Sequence, residues 1–120
     1  MSTRSKNGTE DESRRTRSVL YRPRAKLDVG SAVIYLGQVQ RQPRAAEQLY
    51  QKIKEAAAML AQQPTIGRRY ADKILDQEQY CSWHIDNYRI FYTFGPTTLT
   101  IWRVVHTSKD IDELSFIEWE

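Results

Sequence analysis

The side chains able to take part in chemistry gather in one stretch, Tyr80 to His106: after Tyr80 it reads CSWHI, Asp86-Asn87, YRIFYTF, a Gly95-Pro96-Thr97-Thr98 break and LTIWRVVH. His84 is a candidate general base, because an imidazole titrates near neutrality. Arg89 is a candidate catalytic cation or target contact, since a guanidinium is always charged and forks onto oxyanions. His106 closes the last run beside Thr107 and reads first as a group that hydrogen-bonds the turn. Cys81 is the only cysteine, so no intramolecular disulfide is possible, and it reads as a small buried hydrophobe rather than a nucleophile. No metal or other cofactor is expected: Cys81, His84 and His106 include no short-spaced ligand pair, and Cys81 falls on the strand face opposite His84. Trp83, Trp102 and Trp119 read chiefly as packing groups; base stacking by Trp102 or Phe91 would require that their face meet RNA.

The three runs are rich in β-branched and aromatic residues and are separated by turn chemistry, the pattern of consecutive antiparallel strands. If Asp86-Asn87 is a two-residue type I′ loop, Ile85 pairs with Tyr88, Trp83 with Ile90 and Cys81 with Tyr92, making one face apolar. The other face then pairs His84 with Arg89, Ser82 with Phe91 and Tyr80 with Thr93. The polar chemistry of the sheet is thereby focused on His84 and Arg89.

The remaining elements must hold that sheet. Ser18 to Arg22 is a short strand stopped by Pro23, which opens a helix carrying Ala25, Val29, Ala32, Val33 and Leu36 on one face. Gly37 and a polar run end it. Pro43 opens a second helix with Ala46, Leu49, Ile53, Ala56, Ala57 and Leu60 at the helical period, ended before Pro64. The small residues Ala45, Ala46, Ala56 and Ala57 predict a close antiparallel hairpin. Gly67 is expected at positive φ in the TIGRR loop, and Lys73-Ile74-Leu75 as a short strand. Thr107 to Asp110 has capping-box spacing before a short helix over Lys109 to Ile117. The fold class is α+β: an N-terminal strand, an antiparallel helical hairpin packed on a mainly antiparallel 4-stranded sheet, and a short C-terminal helix.

A chain of 120 residues with 40% hydrophobic residues fits one domain, read as 18–120, preceded by a disordered basic tail over 1–17 whose only hydrophobic residue is Met1. Residues 1 to 26 hold eight Lys or Arg against three acidic residues, whereas the remainder holds ten against twelve. The basic character therefore belongs to the tail and its junction, which weakens any inference of a nucleic-acid-coating surface. No apolar run approaches the ~18 residues of a membrane span, and the N-terminus is polar where a secretory signal would be apolar. A cytoplasmic location without membrane association is expected.

The order of elements resembles the RelE/ParE toxins of type II toxin–antitoxin (plasmid stabilisation) systems. So do Pro43-Arg44-Ala45-Ala46, Pro64-Thr65-Ile66-Gly67-Arg68, Tyr88-Arg89-Ile90-Phe91-Tyr92, and Arg103-Val104-Val105-His106 followed by Asp110. The resemblance covers roughly residues 18 to 114 and implies a cognate antitoxin as partner. Its RelE-like branch cuts messenger RNA on the ribosome with clustered basic residues; its ParE-like branch poisons DNA gyrase. Aligned with RelE, Arg89 matches a catalytic arginine and His84 another basic position, but Tyr80 and Ser82 stand where the strand lysines would be. The later arginine falls near Lys109, and the C-terminal tyrosine falls around Ser115 or Phe116. Because each missing group typically costs ~100- to 1,000-fold in rate, the resemblance favours a ParE-like toxin that inhibits gyrase by binding. It makes Arg68, Arg69, Arg89, Arg103, His106 and Lys109 candidate target contacts. Cys81 departs from the arginine frequent there in ParE-like chains. The alternatives are a ribosome-dependent endoribonuclease using Arg89 and His84, or a degenerate toxin that retains only antitoxin binding.

Overall fold

The computed structural model describes residues 16–71 and 79–107. Strand β1 (Ser18–Tyr21) leads through an extended Arg22 (φ −70°, ψ 159°) into helix α1 (Pro23–Ile34). Pro23 suits this entry because it lacks only an amide that a first turn leaves unpaired anyway. The chain then widens into a π-helical turn over Tyr35–Val39 before helix α2 (Pro43–Gln62). Gly37 eases the close approach where the helices meet: a Cβ there would lie 3.3 Å from the Ala46 Cβ. The predicted α2 face is buried in full, with Ala61 added, and the helix stops at Gln63 before Pro64.

Strands β2 (Arg68–Ala71), β3 (Gln79–Ile85), β4 (Tyr88–Phe94) and β5 (Thr98–His106) form an antiparallel set. β1 joins β5 in parallel, giving the order β1-β5-β4-β3-β2. The α+β architecture is the expected one, with the N-terminal strand bringing the sheet to five strands. A short strand runs over Arg68–Ala71, where the sequence pattern suggested a loop. Lys73 to Leu75, the C-terminal helix over Lys109 to Ile117 and residues 1–15 of the tail lie outside the described residues.

The β3–β4 register matches expectation at every described pair, from Cys81 with Tyr92 to Ile85 with Tyr88. Its turn differs. Of the two turn residues only Asp86 has positive φ (52°), so the pair does not make a type I′ turn, which needs both. Gly67 also departs from expectation: its φ is −76°, and space is what demands glycine. A Cβ there would meet the Tyr92 hydroxyl and come within 2.8 Å of the Ser82 carbonyl oxygen.

The helical hairpin packs on one face of the sheet, and Ile53, Leu60, Ile90, Tyr92, Leu99 and Ile101 form the centre of the core. Cys81 is buried there as a packing residue. Arg17, assigned to the tail by composition, is docked. Its Nε donates to the Gly95 carbonyl at 2.6 Å, and its guanidinium lies 5.6 Å from the centre of the Phe94 ring.

Candidate functional site

Strand alternation places the candidate residues in rows on the sheet face away from the helices. One row runs Arg68, Ser82, Phe91, Arg103; the next runs His84, Arg89, Val105. This face is less polar than its sequence suggests, because Tyr80, Ser82, Phe91 and Val105 are buried and Arg89 is partly buried, while His84 is exposed.

His84 and Arg89 come together as the hairpin register requires. Arg89 Nη2 lies 3.1 Å and Nε 3.4 Å from His84 Nε2. A guanidinium can only donate, so Nε2 is the acceptor in this contact. The lone pair that a general base would use is thus engaged by the cation that would have stabilised phosphorane charge.

Arg103 is not available to a target. It is 6% exposed, and its Nε and Nη2 donate to the two Asp28 carboxylate oxygens at 2.7 and 3.1 Å. The cause is topological. β1 ends at Tyr21, opposite Ile101, so β5 continues beyond its neighbour with unpaired amides. Asp28 Oδ2, one turn into α1, accepts the Val104 amide at 2.9 Å and the Arg103 fork together. Trp102 is the extra residue of a bulge, since Phe91 pairs with Arg103 and Tyr92 with Ile101. Its indole Nε1 donates to Thr93 Oγ1 at 2.9 Å, and the Arg22 guanidinium stacks over its ring at 5.0 Å.

His106 is exposed and meets the Tyr88 ring edge to face, with centroids 5.2 Å apart. The turn beside it is closed by backbone, Thr107 N–H donating to the Asn87 carbonyl at 2.8 Å. Arg68 is exposed on the outer strand β2. The Arg69 side chain and Lys109 lie outside the described residues. Among the described residues no group of three His, Cys, Asp or Glu could hold a metal. Nor is any helix long and apolar enough to cross a membrane.

A further concavity lies elsewhere. A groove of about 590 Å³ opens between β1, α1 and α2, floored by Val19, Tyr21, Val29, Val33 and Ile53. Sequence periodicity missed it because these residues also satisfy the core pattern. The available signal was an excess: Ile34 and Tyr50 are apolar yet 55% and 43% exposed.

The sequence of the family described as "ParE toxin of type II toxin-antitoxin system, parDE" matches residues 19–111. The chain belongs to the ParE toxin family. Among solved structures, a chain titled "Chromosomal ParDE TA system from P. aeruginosa" is similar with a TM-score of 0.58 at 16% identity. The similarity covers 76% of this chain and 96% of that one. At that identity the likeness speaks for the fold. No curated protein matches the sequence. Within this ParE-family toxin, the Arg103–Asp28 ion pair and the bulge join the strand bearing RVVH to helix α1. The conspicuous RVVH arginine is thus a structural group.

Proposed function

We propose that this ParE-family toxin acts by binding DNA gyrase in the bacterial cytoplasm, without cutting RNA, and that a cognate antitoxin neutralises it by docking across the helical hairpin and the outer edge of β1. The observation that carries the first half is the state of Arg103, Arg89 and His84 on the outer sheet face. Arg103 is held by Asp28, and Arg89 and His84 bond each other. The flanking positions hold Tyr80 and Ser82, both buried and neutral. Cleavage of RNA through its 2′-hydroxyl needs a base with a free lone pair and cations aimed at the developing charge. Among the described residues the paired His84 and Arg89 speak against that chemistry, whereas inhibition by binding needs only a shaped surface. The groove beside β1 supports the second half, because an apolar trough next to a strand edge suits a helix or strand from a partner.

The test is direct. Purified toxin is added to gyrase and relaxed plasmid, and supercoiling and cleaved-complex formation are followed in parallel with ribosome-programmed messenger cleavage. Inhibited supercoiling with intact message is the expected result. Message cleavage that disappears in Arg89→Ala, with gyrase unaffected, would replace this reading with the nuclease one.

A further inference from the structure

We propose that the last thirteen residues, 108–120, turn back across the outer sheet face and cover it, setting apolar side chains over Phe91 and carboxylates beside Arg68 and Arg89.

The outer face is buried without belonging to the core. Phe91 is 0% exposed, Ser82 4%, and Tyr80 and Val105 6% each. The cluster that joins both helices to the sheet takes Cys81, Ile90, Tyr92 and Val104 from the inner face and none of these four. Full exclusion of water from a phenylalanine on a sheet face takes a second layer over it, and the helical hairpin supplies that layer on the inner side. The cover of the outer face must therefore come from residues outside 16–71 and 79–107.

Composition and reach separate the three stretches that remain. Residues 1–15 hold one apolar side chain, Met1, and join the sheet through β1, the strand at the far edge from β2. Residues 72–78 hold two, Ile74 and Leu75, and are tied at both ends to β2 and β3. Residues 108–120 hold five, Ile111, Leu114, Phe116, Ile117 and Trp119, and follow Thr107 just past the end of β5, close to Val105. From β5 to β2 is three strand spacings, about 14 Å. Thirteen residues extend about 20 Å even at the rise of a helix, so the crossing is within reach. Charge agrees with composition. The segment carries five carboxylate side chains against Lys109 alone, while the face presents Arg68, exposed, and Arg89, partly buried. An acidic cover also places like charge in the path of RNA phosphates, which opposes nuclease chemistry on this face.

The experiment uses two adjacent positions that report one face each. Cys81, the only cysteine of the chain, is 4% exposed on the inner face, and Ser82 is 4% exposed on the outer one. Alkylation by iodoacetamide is timed for the native thiol and, in Cys81→Ala/Ser82→Cys, for the outer thiol. Both are expected to react slowly in the full chain. Ending the chain after Thr107 should speed the outer thiol about tenfold or more and leave the inner one unchanged. The full-length variant Leu114→Ser/Phe116→Ser should shift the same ratio in the same direction, and it decides the matter if the shortened chain loosens both thiols. An outer thiol that stays slow in both variants, or inner and outer thiols that speed up equally in the full-length one, would overturn the inference. So would an outer thiol released by removing residues 1–15 instead, or one whose protection in the full chain grows with protein concentration, which would give the cover to a second copy.

Discussion

The Asp28 carboxylate holds three donors, two from Arg103 and one from Val104, at a place where a β-edge would otherwise be left open. Both side chains of the ion pair are largely buried, at 7% and 14% exposure. Removing one partner of such a pair strands the other charge. Asp28→Ala is expected to destabilise the fold by about 3–5 kcal/mol, read from urea denaturation. Replacing both residues with apolar ones should restore only part of this, because the Val104 amide still lacks an acceptor. Tyr92 is the other buried group with a readable consequence. Its hydroxyl donates to the Pro64 carbonyl at 2.6 Å and packs against Gly67, tying the loop before β2 to the core. Burial pushes its phenol well above the ordinary value of 10.0, and the neighbouring Cys81 thiol adds to the rise. The folded state therefore prefers the protonated phenol. That stability is fully present below pH 10 and is lost as pH climbs from the unfolded value of 10.0 toward the higher folded one. Tyr21 and Tyr88 are raised as well, also chiefly by burial. Denaturation midpoints measured across pH 8 to about 11 should fall for the native chain. The fall should be shallower in Tyr92→Phe, which at neutral pH costs about 1–3 kcal/mol for the stranded Pro64 carbonyl.

At the scale of elements, the β3–β4 hairpin shows how much local chemistry can dictate. Alternation and turn position sufficed to place Cys81 with Tyr92 and His84 with Arg89, since a one-residue slip would expose Ile85 and Ile90. The turn is pinned by Asp86 at φ 52° and by an exposed ion pair to Lys52 of α2 at 3.2 Å. Asp86→Val should cost about 1–2 kcal/mol, because a β-branched residue resists the left-handed region, whereas Asp86→Gly should be nearly neutral. Thermal melts of the two variants separate backbone strain from the loss of the ion pair, which both share. The β4–β5 pair was less legible. No pattern in LTIWRVVH announces an extra residue at Trp102, and without that bulge Arg103 could not be assigned to Asp28, 75 residues away. The Arg17 dock escaped composition for the same reason. Its partners, Gly95 and Ala61, are backbone carbonyls, which carry no sequence signature.

For the molecule as a whole, the distribution of charge and apolar surface separates two faces with different tasks. The outer sheet face carries His84 and Arg89, the residues that looked catalytic, bonded to each other, and Arg103, a candidate target contact, held by Asp28. The opposite side carries the groove and the open edge of β1, which pattern reading could not distinguish from core because the same Val19, Val29 and Ile53 serve both. Fold class was written plainly in the order of elements; the division of labour between faces was not, since it depends on contacts far apart in the chain. The most direct measurement of the central claim is induced expression in bacteria without antitoxin. Plasmid supercoiling and double-strand breaks would be scored against messenger RNA integrity in the same cells. Relaxed or broken DNA with intact messages, unchanged by His84→Ala, is the predicted result. Cleaved messages over intact DNA would contradict the account and return the chemistry to Arg89 and His84, and the absence of any growth defect would contradict it by reducing the protein to an antitoxin-binding remnant.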